Sequence, residues 1–578
     1  MKRINAYNVF LMLGGAIFFL ALLPYYFDGC LILGGEADFV LDFTTHLKNS
    51  CFAWYSTFGA GVINMSPHAF ALNIVILSLI EKFTGSVVAA NFTMIFSIYF
   101  LPFIAMFMLS RLLKARPFVA FMVSFFYVVN PFILYHLICI NQNNVFSIGV
   151  MPLFLWLILK YYNDNFRLCF FFGFISACFS FSFSNPPLFA IIFFSVLLSV
   201  VLGSFYHNKK IILIQIVKKL VILLVSFFVF NSWWIMTLYL NLKSVGKSIY
   251  PLSIAKDLLN TVVTDFYPII AKMFSLTLLI SDDSSYDFFA YWYNTVFAGI
   301  ITLVPMFVII FYFLFIYDRK KRNLLPMGTL GILLIVLFFV KGNAAPFGGI
   351  YNFLFIHVPY FKIFKTPVEK FGILYVFILS ILLLFIMNNI KERRHYKFIS
   401  FIFALYLLFC SVPLLTGNII PEYKIKNFGY GSRKYKDKTE YKQFREFVNS
   451  KNFEQRILSL PGTANYQVCL SNYNNKKYTG LDPVLKNTNK PFIGTHHYFN
   501  LLYKGIGLSN YKKVLGIYNV GQVVVNEDLI AWYGFLEKET IEEKKIIFTG
   551  FMQPYSLGSI TVYENEDDFL PRIYVSSN

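Results

Sequence analysis

The run Val9-Phe10-Leu11-Met12-Leu13-Gly14-Gly15-Ala16-Ile17-Phe18-Phe19-Leu20-Ala21-Leu22-Leu23-Pro24-Tyr25-Tyr26-Phe27 opens the chain, and Gly34-Gly35-Glu36-Ala37-Asp38-Phe39-Val40-Leu41-Asp42 follows it closely. The first is long enough to cross a hydrocarbon core about 30 Å thick. It is too long for the apolar part of a secretory signal and lacks a small-residue cleavage pattern, so a retained first helix is expected. The second is an acidic cluster where acids are scarce. The chain has 30 Asp and Glu in 578 residues, and Glu36, Asp38 and Asp42 fall together where it first leaves the bilayer. That placement points to chemistry at a membrane surface.

Working outward, composition agrees with a polytopic α-helical membrane protein. Apolar residues make up 57% of the chain, with 70 Phe and 38 Tyr, and the mean hydropathy is +0.61, well outside the soluble average. About eleven spans are expected, near 9-28, 88-110, 117-136, 144-161, 167-184, 187-206, 218-240, 292-317, 325-341, 370-389 and 397-414. Basic residues mark every second connection: Arg111, Lys114 and Arg116; Lys160 and Arg167; Lys209, Lys210, Lys218 and Lys219; Arg319 to Arg322; Lys391 to Lys397. By the positive-inside rule the N-terminus is then cytoplasmic and everything after about residue 415 extracytoplasmic. The same pattern accounts for the net charge of +20, with anionic membrane lipids as partners and no nucleic acid implied. Seven Cys are scattered without a CxxC or Cys/His cluster, which supports neither a metal site nor a disulfide framework.

The expected organisation is a membrane domain over 1-414 with outer loops 29-87, 241-291 and 342-369, then an extracytoplasmic soluble α/β or mainly β domain over 415-578. In the first loop Phe70 to Ile80 is too short to span and is expected to lie at the interface as an amphipathic helix; 269-280 is expected to behave similarly. Past 415 short β-rich runs recur at Arg456–Pro461, Val520–Val525 and Ser559–Tyr563.

Candidate chemistry follows from placement. Gly34 and Gly35 allow a sharp turn, and Phe39 to Leu41 draw the loop toward apolar surroundings, where a carboxylate suits a general base for a sugar hydroxyl. Glu36, Asp38 and Asp42 are therefore the catalytic candidates. Lys362, Lys365 and Lys370 lie in or beside an outer segment, where positive-inside gives no reason for lysines. They are candidates for the phosphate of a lipid-linked donor. His68, Asn143, Asn185, Trp233 and His357 are candidates to line a substrate cavity. No cofactor is required by these residues, and a divalent cation is compatible with the acids.

These residues carry a resemblance. Gly34-Gly35-Glu36 through Asp42 resembles the first-loop acidic signature of GT-C membrane glycosyltransferases of the arabinofuranosyltransferase and YfhO-like group. Phe364-Lys365-Thr366-Pro367-Val368-Glu369-Lys370-Phe371 resembles their Phe-Arg-x-Pro-x-x-Lys-Phe stretch. Tyr518 to Val525 and Leu570-Pro571-Arg572 resemble short runs in their soluble part. Glu36 stands where that group usually has Asp, and Lys365 where Arg is commoner. The resemblance implies transfer of a sugar from a polyprenyl-phosphate donor to an extracytoplasmic glycan, lipid or protein acceptor, with inversion, Glu36 as base and Asp38 as its rival. Two other classes remain open on sequence: a transporter or lipid flippase, although neither an internal repeat nor a midplane acid cluster is found, and a non-catalytic scaffold in cell-envelope glycan assembly.

Overall fold

The computed structural model describes residues 5–34, 42–50, 54–55, 62–63, 65–139, 142–208, 212–245, 272–277, 292–293, 295–317, 324–390, 393–417, 432–450, 455–460, 467–471, 477–481, 492–493, 515–516, 518–530, 549 and 553–565. Glu36, Asp38 and the run 570–574 lie outside them. The helices begin with α1 (Ala6–Leu22), α2 (Phe43–Ser50), α3 (Met65–Thr84), α4 (Val87–Leu112), α5 (Pro117–Val129) and α6 (Pro131–Cys139). Next come α7 (Gln142–Tyr161), α8 (Asn165–Cys178), α9 (Ser180–Phe183), α10 (Pro186–Asn208) and α11 (Leu213–Val245). Then follow α12 (Val296–Thr302), α13 (Val304–Phe311), α14 (Leu324–Val340), α15 (Gly348–His357), α16 (Pro367–Asn389), α17 (Arg393–Leu415) and α18 (Thr439–Ser450). The chain divides into two compact units, one of 1–24 with 93–421 and one of 25–92 with 422–578.

The first unit is a polytopic helical bundle. Among the described residues seven helices are long and apolar enough to cross a membrane, or eight if the bent pair α5–α6 counts as one. Eleven such spans were expected. Phe146–Tyr161, Asn165–Cys178 and Leu325–Val340 are shorter apolar helical segments among the described residues, although α7 as a whole has 20 residues. At the bundle's centre is α16, buried along nearly its whole length and packed on α14, α5, α7 and α10. A helix apolar on all sides belongs in such a position.

The α5–α6 bend of 55° has a local cause. Pro131 has no N–H, and its ring crowds the preceding turn. Asn130 repairs both sides of the break: its Nδ2 donates to the Phe126 and Tyr127 carbonyls at 2.9 and 3.1 Å, and its Oδ1 accepts from the Ile133 amide at 3.1 Å. Within hydrocarbon such repair is obligatory.

The second unit holds the sheets. Their strands are β1 (Leu31–Gly34), β2 (Trp54–Tyr55), β3 (Val62–Ile63), β4 (Ser432–Tyr435), β5 (Arg456–Leu460), β6 (Gln467–Ser471), β7 (Lys477–Leu481), β8 (Phe492–Ile493), β9 (Val520–Asn526), β10 (Leu529–Ile530), β11 (Gln553–Leu557) and β12 (Ile560–Glu564). The main sheet has the order β11-β12-β9-β5-β8, parallel between β9, β5 and β8 and antiparallel elsewhere. The three β-rich runs expected from sequence thus form its adjacent strands β5, β9 and β12. Strand β9 is buried on both faces, as its near-continuous Val run requires. On α18, Tyr441, Phe444 and Val448 share one face and are buried with Ile457, Val524, Ile560 and Val562. Leu31 and Leu33 of β1 join the same core.

One carboxylate ties this unit together. Asp528 Oδ2 accepts from Lys438 Nζ at 2.6 Å, from the Tyr441 hydroxyl at 2.7 Å and from the Ser559 hydroxyl at 2.5 Å. Burial pushes its pKa up, but the Lys438, Ser559 and Tyr441 hydrogen bonds outweigh it and hold the carboxyl below its ordinary value. A depressed carboxylate stabilises the fold above its unfolded pKa, near 3.9, and that contribution is lost as pH falls through the lower folded value. Asp528→Asn is expected to cost about 1.5–3 kcal/mol at neutral pH. Hydrogen exchange at the Val523–Val525 amides should quicken accordingly, and the variant should lose the corresponding part of the acid-side decline in stability.

Candidate functional site

In the second unit the flanks of the acidic motif are held by contacts that sequence did not reveal. Strand β1 leads directly into Gly34-Gly35 and pairs antiparallel with β4, Leu31 opposite Tyr435 and Gly34 opposite Ser432. At Ile32 the carboxamide of Asn91 acts as a short strand: its Oδ1 accepts from the Ile32 amide at 3.0 Å and its Nδ2 donates to the Ile32 carbonyl at 3.1 Å. The Tyr26 hydroxyl donates to the same Oδ1 at 2.8 Å. Asn91 is buried, so this matched set of bonds is well determined. Asn91→Ala would remove the bonds to the Ile32 amide and carbonyl and to the Tyr26 hydroxyl, at about 1–3 kcal/mol. Faster hydrogen exchange over 31–34 is the expected result.

On the far side of the motif Asp42 is the N-cap of α2. Its Oδ1 accepts from the Thr45 amide at 2.8 Å and its Oδ2 from the Thr45 hydroxyl at 2.6 Å. Glu81 of α3 reaches the same helix start, Oε2 accepting from the Phe43 and Thr44 amides at 2.9 and 3.3 Å. Burial, and then the neighbouring Asp42 carboxylate, raise the Glu81 pKa above its ordinary value, with the two amides opposing. Both Asp42 oxygens are engaged in capping, so this acid shapes the loop's exit. Helix α3 is two-sided: Ala69, Phe70, Ile74 and Leu77 are buried, while Leu72, Ile76, Leu79 and Phe83 are exposed. His68 falls in its first turn; the position of that side chain is not among those described.

In the first unit the lysine segment is set by aromatic packing. Tyr360 adopts a left-handed conformation, φ 63°, and starts a 3-10 turn over Phe361–Phe364. Phe361, Phe364, Phe371 and Phe339 pack ring to ring in series, with centroids 4.8–5.3 Å apart. The Tyr351 hydroxyl donates to the Phe364 carbonyl at 2.8 Å. Lys362 and Lys365 are partly exposed along this turn. Pro367 opens α16 at its first position, as its missing N–H favours.

Lys370 lies one turn into α16 and is buried, 6% exposed, with Glu369 Oε2 3.4 Å from its Nζ. Helix α6, which carries the buried imidazole of His136, packs against this part of α16. The geometry that brings them together is a missing side chain. A Cβ on Gly372 would fall 2.3 Å from the Phe132 ring, and Phe132 in turn lies 4.9 Å from the His136 ring. The Asn130–Pro131 bend thus carries His136 toward the start of α16. A lone ionisable residue in a span is a sequence signal for a site, and His136 gave that signal at the end of the run 117-136.

A further cation, Lys341, follows α14 and is buried. It donates to the Ala344 carbonyl at 2.8 Å and to the Pro346 carbonyl, which shapes the loop. Gly342 beside it has φ +60° and faces Pro367, whose ring a Cβ would meet at 2.8 Å.

The cavity candidates lie on different elements of the chain. Asn185 precedes α10, its carbonyl accepting from the Phe189 amide at 2.9 Å. Trp233 is half-buried on α11, beside a closed network in which Trp234 donates to Asn231 and Asn231 to Ser176, both at 2.8 Å. His357 ends α15 exposed, its ring 4.8 Å from Phe353. Asn143 lies in the first turn of α7. Among the described residues no group of three His, Cys, Asp or Glu could hold a metal ion.

A helical bundle with a mixed β-sheet unit has solved counterparts. The chain shares the fold of the arabinofuranosyltransferase AftD from Mycobacteria, known by cryo-EM, with a TM-score of 0.60 over 96% of this chain at 11% identity. Two structures of a mutant of that enzyme give TM-scores of 0.60 and 0.54 at 12% and 10% identity. The chain spans about 40% of the length of that enzyme. No family model matches the sequence, nor does any curated protein.

Proposed function

We propose that this protein is a membrane glycosyltransferase that moves a sugar from a polyprenyl-phosphate donor to an extracytoplasmic glycan, lipid or protein acceptor, with inversion. The observation that carries this reading is the fold it shares with AftD over 96% of its length. The anchored flanks of the acidic loop and the cationic start of α16 give that fold a chemistry. In the proposed step Glu36 takes the proton of an acceptor hydroxyl, with Asp38 as the alternative base. The hydroxyl oxygen forms a bond to the anomeric carbon as the bond from that carbon to the phosphate oxygen breaks, and the phosphate keeps the electron pair. Lys365 and Lys370 stabilise the phosphate as charge grows on it. Lys362 contributes to holding the donor, and Asp42 sets the loop. The sheet unit is assigned the acceptor, on the outer face of the cell membrane.

The test is consumption of a polyprenyl-phosphate-linked sugar by the purified full chain in vesicles, with release of the lipid phosphate and appearance of the sugar on an acceptor. Movement of intact donor across the vesicle without its cleavage would identify a flippase instead.

A further inference from the structure

From Gly342 to Phe361 the chain carries no Asp, Glu, Lys or Arg, although Lys341 and Lys362 flank the stretch. Half of it is α15, and the two sides of that helix differ. Tyr351 and Phe355 are fully buried and pack with Phe339 and Phe361, so this side is fastened to the bundle. The other side is exposed and largely apolar, with Asn352 and His357 as its polar members. Phe347 is 69% exposed, Ile350 52% and Phe353 60%, and Tyr360 beyond the helix is 81% exposed. Ile350 and Phe353, three apart, lie along one stripe of the helix, and Phe347 caps its start. Such a continuous patch in water marks an interaction surface.

What covers it is indicated by chain continuity and charge. Pro367 opens α16, one of the helices long and apolar enough to cross a membrane, only a few residues past Tyr360. The stripe therefore cannot stand far from the bilayer surface. Lys362 and Lys365, partly exposed between the stripe and that span, are the groups that meet phosphates at headgroup level while their stems stay in apolar surroundings. A short helix with one apolar face and flanking cations suits the interface plane.

We propose that α15 lies in the plane of the membrane, with Phe347, Ile350 and Phe353 in the acyl region and Lys362 and Lys365 on the phosphates of anionic lipids. The acyl contacts of Phe347, Ile350 and Phe353 do not depend on sugar transfer, whereas the lysine half shares Lys362 and Lys365 with the proposed donor site and rests on the same headgroup-level position.

The experiment uses the full chain in vesicles of phosphatidylcholine and phosphatidylglycerol, with a trace of phosphatidylglycerol carrying a diazirine in its acyl chain. After illumination, trypsin releases 342–362 as one peptide and 323–341, containing α14, as an internal control. Adducts on Phe347, Ile350 or Phe353, with none on Tyr351 or Phe355, are the expected result. A labelled 323–341 with an unlabelled 342–362 overturns the proposal. The double substitution Ile350→Asp with Phe353→Asp should lower labelling of 342–362 about tenfold. Lys362→Gln, whose tryptic peptide runs from 342 to 365, and Lys365→Gln should each lower labelling by the anionic probe roughly fivefold at low salt. A phosphatidylcholine probe should be insensitive to both lysine changes; equal losses with the two probes remove the headgroup half of the assignment. Competition by millimolar inorganic phosphate would show a soluble-phosphate site and overturn the lipid assignment.

Discussion

Glu36→Gln is expected to lower kcat for sugar transfer by about 10²–10⁴, the range a positioned general base contributes. Gln keeps the length and polarity of the side chain but cannot take the acceptor proton. The donor KM should change little, because the lost interaction belongs to the transition state and not to binding. The limb of the pH–rate profile that reports ionisation of the base should disappear with it. Glu36→Asp separates position from chemistry. It retains the base and restores the residue usual in the GT-C group that the motif resembles, so measurable activity is expected. If Glu36→Gln were fully active while Asp38→Asn was inactive, the base would be Asp38. Full activity in both would falsify a carboxylate base in this loop.

Lys370→Met should give an opposite pair of effects. Lys370 is buried at the start of α16, with Glu369 3.4 Å away. An ammonium held there has given up much of its hydration, a cost that only a partner anion offsets. Methionine fills a similar volume without that cost, so thermal unfolding in detergent should stay the same or shift upward. Donor turnover should fall by about 10²–10³, the loss seen when one preorganised group on a developing anion is removed. Lys370→Arg should recover part of the activity, since the charge is kept although its shape differs. A fall in stability together with activity would make Lys370 a packing residue and end its assignment to the phosphate.

Local features of both units were legible in the residues. Val520 to Val525 reads as a buried strand because β-branched residues suit that environment, and β9 is such a strand. The run 117-136 was expected as one span, and the bend at Pro131 divides it into α5 and α6. Asp42 ahead of Phe43-Thr44-Thr45 is a helix cap by residue type, although its nearness to Glu36 drew it into the catalytic set. The number of crossings was less legible, because an apolar run of about 16 residues looks the same in sequence whether it crosses the bilayer or packs within the bundle.

The sequence by itself determined the class of protein: long Phe-rich runs exclude a water-soluble fold, and their separation from a β-rich C-terminal region gives two kinds of unit. It also set three rare acids directly after the first span and lysines ahead of a later one. Only the tertiary structure decided which residues serve those groups. It pairs β1 with β4 across some four hundred residues of chain, places the Asn91 carboxamide on Ile32 and packs Phe132, edge-to-face with His136, against Gly372 of α16. Periodicity reports the face a residue presents within its own helix or strand. Partnership between distant residues depends on the bends, small residues and complementary surfaces of whole elements, here Asn130–Pro131 and Gly372.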